Sequence, residues 1–131
     1  MADPKPIDRP LSPFMLGPYY RFQMTSVSSL LTRITGNALI VSFLLGVWWL
    51  LGAAIGGGTF ATANGVATSW FGDLVFTLSL LGIWYHYLAG LRHLYYDAGH
   101  GLDIKTAEML GWVCIIGSVA LTVLTLIIIQ F

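Results

Sequence analysis

Charge is missing from three long blocks of this chain. Residues 34–72 form a run of 39 without Asp, Glu, Lys or Arg, residues 74–91 a run of 18, and residues 109–131 a run of 23. A bilayer core is crossed by about 20 apolar residues in a helix rising ~1.5 Å per residue. The first block is too long for one crossing and carries its own breaker, Gly56-Gly57-Gly58. The spacing therefore predicts an all-α integral membrane protein with three transmembrane helices, approximately 34–55, 73–95 and 109–131. The connection over 56–72 is rich in Gly, Thr and Ala, with Trp70 and Phe71 suited to an interfacial aromatic belt.

Composition closes off the soluble alternatives. Hydrophobic residues make up 56% of the 131 and charged residues 9%, against about 25% charged in ordinary soluble domains. Six Lys and Arg balance six Asp and Glu, so no basic field favours a nucleic-acid partner. The single Cys114 rules out an internal disulfide and any thiolate-only metal site within one chain.

All six basic residues fall on one side of the predicted spans. Lys5, Arg9, Arg21 and Arg33 precede the first, and Arg92 and Lys105 flank the second connection. Basic residues concentrate in cytoplasmic loops, so the N-terminus is expected in the cytoplasm and the C-terminus in the periplasm. The five prolines all lie within the first 18 residues, interrupted by Asp3 and Asp8. That pattern is neither a signal peptide nor a transit peptide. It predicts an extended cytoplasmic segment over 1–24, either solvated or lying along a partner.

Two polar patterns stand near the bilayer. In the second span Gly82, His86, Gly90, His93 and Asp97 recur at spacings of 4, 4, 3 and 4, which sets them on one helix face. Glycines flanking a histidine offer a shallow groove for a flat ligand, with His86 on its metal. Equally, such small residues pack helix against helix, with the histidine bonding across the interface. If the ligand is haem, the absence of a Cys-x-x-Cys-His motif makes its attachment non-covalent. His86 and His93 lie ~10.5 Å apart along one face, so they cannot oppose each other across one iron. His100 lies in the loop after Gly99, and Cys114 is expected to be an apolar, inert thiol. A second axial ligand must then come from another chain.

The other pattern opens the first span, where Ser26, Ser29, Arg33 and Asn37 share a face at spacings of 3, 4 and 4. Serines there can cap the helix, and an arginine can snorkel to the headgroups. The same hydroxyl and cation also suit the polar head of an apolar ligand such as a quinone.

Three runs of residues resemble a known family. They are Arg9-Pro10-Leu11-Ser12-Pro13, then Ser29-Leu30-Leu31-Thr32-Arg33-Ile34-Thr35-Gly36, then His86 with Gly90-Leu91-Arg92-His93-Leu94 and Asp97. In this order they are similar to the cytochrome b membrane-anchor subunits of succinate dehydrogenase, respiratory complex II. The resemblance implies one membrane-anchor domain over 1–131, with 25–55 as interfacial entry and first helix. It implies a bacterial inner-membrane complex with a flavoprotein, an iron–sulfur protein and a second three-helix anchor bundled against this one. It further implies haem b shared between the anchors and ubiquinone reduction near the cytoplasmic surface.

Matched position by position, His86 corresponds to the family's axial haem ligand. Ser29 and Arg33 correspond to its quinone-site serine and arginine, with Arg33 also near a haem propionate, and His93 to a histidine near the propionates. Thr32 and Phe14 stand where the family often has histidine, and Thr32 removes one charged propionate contact. No dinucleotide fingerprint or cysteine cluster occurs here, so flavin and iron–sulfur centres belong to partners. A haem-free structural anchor and the related quinol:fumarate reductase anchor remain the alternatives.

Overall fold

The structure, a computed structural model, describes residues 22–130. The expected extended segment falls mostly before them, as do the Arg9–Pro13 run and Phe14; Phe131 lies outside them at the other end. Four helices follow in order: α1 (Met24–Ile55), α2 (Gly57–Ala67), α3 (Trp70–Asp97) and α4 (Ile104–Gln130). Three segments are long and apolar enough to cross a membrane: α1, α3 and Ile104–Ile129, with mean hydropathies of 2.3, 1.5 and 2.6. The three predicted crossings are present.

Each crossing helix is longer than the span expected for it. Helix α1 begins ten residues early, so the polar entry and the span form one helix of 32 residues, about 48 Å at 1.5 Å per residue. Helix α3 ends at Asp97, which puts His86 eleven residues, or ~16 Å, from its end. Helix α4 starts at Ile104 because Asp103 caps it, accepting the Thr106 N–H at 2.9 Å. That bond to the charged form holds the exposed Asp103 carboxyl below its ordinary range.

The connection between the first two crossings contains a helix that composition did not announce. Gly56, at φ 78, breaks α1, and its N–H closes on the Gly52 carbonyl at 2.8 Å. The chain then folds back as α2. Trp49 Nε1 donates to Asn64 Oδ1 at 3.1 Å, and the Trp49 and Phe60 rings lie 5.9 Å apart. Ala63 is fully buried in this contact. Glycine in a helix costs up to ~1 kcal/mol relative to alanine, and tertiary contacts of this kind override that propensity. Ser69 then starts α3, its hydroxyl accepting the Gly72 N–H.

Helices α1, α3 and α4 meet around Tyr85, Ala89 and Cys114, with Leu31, Leu88 and Ile115 packed against them. The buried serine and threonine hydroxyls are satisfied within their own helices. Ser28 donates to the Thr25 carbonyl, Ser118 to that of Ile115 and Thr122 to that of Ser118. Across helices, Tyr85 Oη donates to the Ser28 carbonyl at 2.8 Å and Trp84 Nε1 to Thr125 Oγ1 at 3.1 Å. Most large apolar side chains face outward, Phe43 at 70% and Ile128 at 66% exposure. Lipid, rather than a protein core, is the solvent that suits them.

Candidate functional site

His86 sits half-buried in the seam between α3 and α1. Its Nδ1 lies 3.0 Å from Thr35 Oγ1, and Thr35 Oγ1 lies 2.7 Å from the Leu31 carbonyl. The far edge of the ring faces the backbone of Gly36. A Cβ at that position would stand 3.2 Å from Nε2 and 3.4 Å from Cε1. The small residue therefore makes room for the imidazole. Thr35 and Gly82 also line an apolar groove of about 260 Å³ between the helices, together with Ala38, Leu39, Leu78 and Ser79.

The glycine stripe divides into two kinds of position. Gly82 is buried and faces Leu39 Cδ2, 3.4 Å from where its Cβ would be. It packs α3 onto α1 at the edge of that groove. Gly90 has nothing within 4 Å of that point and is exposed, as are His93 and Asp97. His93 meets Tyr96 edge-on at 6.3 Å. His100 lies in the loop with its ring 5.4 Å from that of Tyr95. Cys114 is 2% exposed in the three-helix core, where the inert thiol was expected. Among the described residues no three of His, Cys, Asp and Glu come together as a metal site.

Ser29 and Arg33 occupy one face of α1, half-buried and exposed respectively. Neither side chain makes a hydrogen bond or ion pair among the described residues. The cap position of α1 is Gln23 and has no side-chain cap bond, so Ser29, more than a turn inside the helix, does not cap it. The serine that enters the core is its neighbour Ser28, 1% exposed.

Two residues emerge that the spacing did not mark. Thr35 belongs to the family-like run, yet only the fold shows that it meets His86. Arg92 counts in the sequence simply as a positive charge at the helix end. In the fold it is 7% exposed, its Nε has no hydrogen-bond partner, and its guanidinium lies 5.9 Å over the Tyr96 ring. The stripe Tyr85, Ala89, Arg92 at spacings of 4 and 3 was the available signal for that burial.

Known proteins are similar to this chain along most of its length. The family model for the succinate dehydrogenase/fumarate reductase transmembrane subunit matches residues 5–125. The succinate dehydrogenase cytochrome b556 subunit of Paracoccus denitrificans is 48% identical over 128 residues, covering 98% of this chain and 97% of that protein. The cytochrome b556 subunit of Rickettsia conorii is 34% identical, covering 88% and 89% of the two chains. The cytochrome b560 subunit of Reclinomonas americana is also 34% identical, covering 82% and 76%. Three membrane-crossing helices and a match running almost end to end lead to one conclusion: the chain belongs to the succinate dehydrogenase/fumarate reductase transmembrane subunit family.

Proposed function

We propose that this chain is a membrane-anchor subunit of a bacterial succinate:quinone oxidoreductase, one unit that holds haem b with a second anchor and completes the quinone-reduction site. The observation that carries this is the setting of His86: an imidazole inside a membrane-crossing helix, seated beside Gly36 and within hydrogen-bond reach of Thr35, which lines an apolar groove. Ionisable groups at that depth are costly and rare. With no cluster of further ligands among the described residues, a metal on His86 needs a macrocycle for most of its coordination. His93, His100 and Cys114 are turned to other contacts, which favours a second axial ligand from the partner anchor.

When bound, haem b supplies reversible one-electron storage next to the quinone pocket. The protein's own part lies in binding and charge. Electrons from succinate arrive through the flavoprotein and iron–sulfur partners. A quinone accepts two of them, with two protons from the cytoplasmic side. The Ser29 hydroxyl donates to a quinone carbonyl, and the Arg33 guanidinium offsets negative charge as it grows on the quinone oxygens. Both side chains are without partners among the described residues, which leaves their donors available. Arg33 and His93, at the end read as cytoplasmic, would hold the haem propionates by charge and hydrogen bonding.

The test is a reduced-minus-oxidised visible spectrum of the assembled complex. A low-spin haem b signal is expected in the wild type and its loss in His86→Ala, with His93→Ala retaining it. A complex with no haem signal, or an unchanged signal in His86→Ala, would overturn the ligand assignment.

A further inference from the structure

We propose that Thr35 is a positioning residue for His86: it fixes the imidazole as the tautomer whose Nε2 lone pair is free for iron. This rests on His86 being the axial ligand. A neutral imidazole has one N–H, and the ring nitrogen that carries it is settled by the hydrogen bond the ring makes. Nδ1 lies 3.0 Å from Thr35 Oγ1, so one of the two must donate.

The proton of Thr35 is already committed. Its Oγ1 stands 2.7 Å from the Leu31 carbonyl oxygen, and that oxygen can only accept. If the hydroxyl turned its proton to Nδ1 instead, two oxygens would face each other at 2.7 Å with no hydrogen between them. The hydroxyl therefore donates to Leu31 and accepts from Nδ1–H. Nε2 is left unprotonated, with its lone pair in the ring plane, the form a metal-bound histidine needs.

Gly36 completes the seat from the same helix. The absent Cβ, which would stand 3.2 Å from Nε2, lets the ring lie where Thr35 holds it. One residue orients the imidazole by a bond and the next by its lack of bulk. The Nδ1–H bond also makes the imidazole a stronger electron donor, which favours the oxidised metal. Thr35 thus sets the reduction potential as well as the ring's angle, without touching iron or quinone.

The experiment compares the purified complex carrying Thr35→Val, Thr35→Ser and His86→Ala with the wild type. The readouts are haem content, the low-spin electron paramagnetic resonance spectrum and the haem midpoint potential. Thr35→Val keeps the shape and removes the acceptor. It should shift the g values, raise the midpoint potential and weaken haem retention by on the order of 10- to 100-fold. Thr35→Ser keeps the hydroxyl and should restore all three. Should the valine variant not assemble, Thr35→Ala, smaller and a better helix former, carries the same test. Wild-type spectrum and potential in Thr35→Val or Thr35→Ala, in a complex where His86→Ala has lost its haem, would overturn the role of Thr35 alone. A low-spin haem surviving in His86→Ala would instead remove the ligand assignment beneath it.

Discussion

A hydroxyl and a guanidinium without partners among the described residues, one turn apart on α1, behave differently according to what they face. If Ser29 and Arg33 contact quinone, their loss should separate the two halves of the reaction. Succinate oxidation with a water-soluble artificial acceptor needs only the partner centres and should survive in Ser29→Ala and Arg33→Leu complexes. Quinone reduction should fall about tenfold or more, since one donor aimed at a developing oxyanion is commonly worth 10²–10³. Both activities near wild type would make Ser29 a lipid-facing serine and Arg33 a snorkelling anchor. These two residues and His86 stood out in the sequence because spacings of three and four place polar groups on one helix face. Thr35 and Ser28 did not. In water a helix shows its core-facing side as an apolar stripe, but lipid is as apolar as the core, so in a bilayer that contrast vanishes. Which face of α1 meets α3 is decided by side-chain fit, such as Tyr85 reaching the Ser28 carbonyl. Pairing across two helices is not written in either one alone.

At the scale of elements, the uncharged blocks marked where the membrane is, not where helices stop. Lys105 and Glu108 end the third apolar block yet lie within the first turns of α4, because charged side chains at a membrane surface do not interrupt a helix. Asp103 sets the true start. Its carboxyl is held low by the Thr106 N–H, so its capping contribution is complete above the unfolded value of about 3.9. It is lost as pH falls through the lower folded value. Amide exchange should therefore be slower at Thr106 and Ala107 in the wild type than in Asp103→Ala at pH 6, with the difference vanishing as the carboxyl protonates in acid. A difference that persists under acid conditions would mean that the cap does not depend on charge. Helix α2 escaped the sequence for a separate reason. Three consecutive glycines read as a break, and one break exists, at Gly56. What turns the following residues into a helix is Asn64 and Ala63 meeting α1 at Trp49 and Gly52, contacts that arise only after the chain has folded back.

The whole molecule has little interior of its own. Its three crossing helices share one narrow core, and their remaining apolar surface faces outward. Such a chain relies on lipid to cover its apolar faces, so its orientation in the bilayer decides which aqueous phase the polar face of α1 can use. Arg33, Arg92 and Lys105 lie toward one end of the bundle, and the opposite end, with α2 and the start of α3, carries Asp73 and no Lys or Arg among the described residues. Burial of Arg92 within α3 does not alter this, because its charge still lies at the same end. The asymmetry of Lys and Arg orients multi-pass proteins. By that rule the end with Ser29 and Arg33 is expected in the cytoplasm, the side from which the proposed quinone site would draw its protons. Alkaline phosphatase folds to an active enzyme only outside the cytoplasm. Fused after Phe131 it should be active, and fused within the loop between α3 and α4, at His100, it should be inactive. A cytoplasmic reporter such as green fluorescent protein should give the reverse. If phosphatase were active at His100 and silent after Phe131, the chain would lie the other way up. Ser29 and Arg33 would then open onto the periplasm, away from the proton source assigned to them.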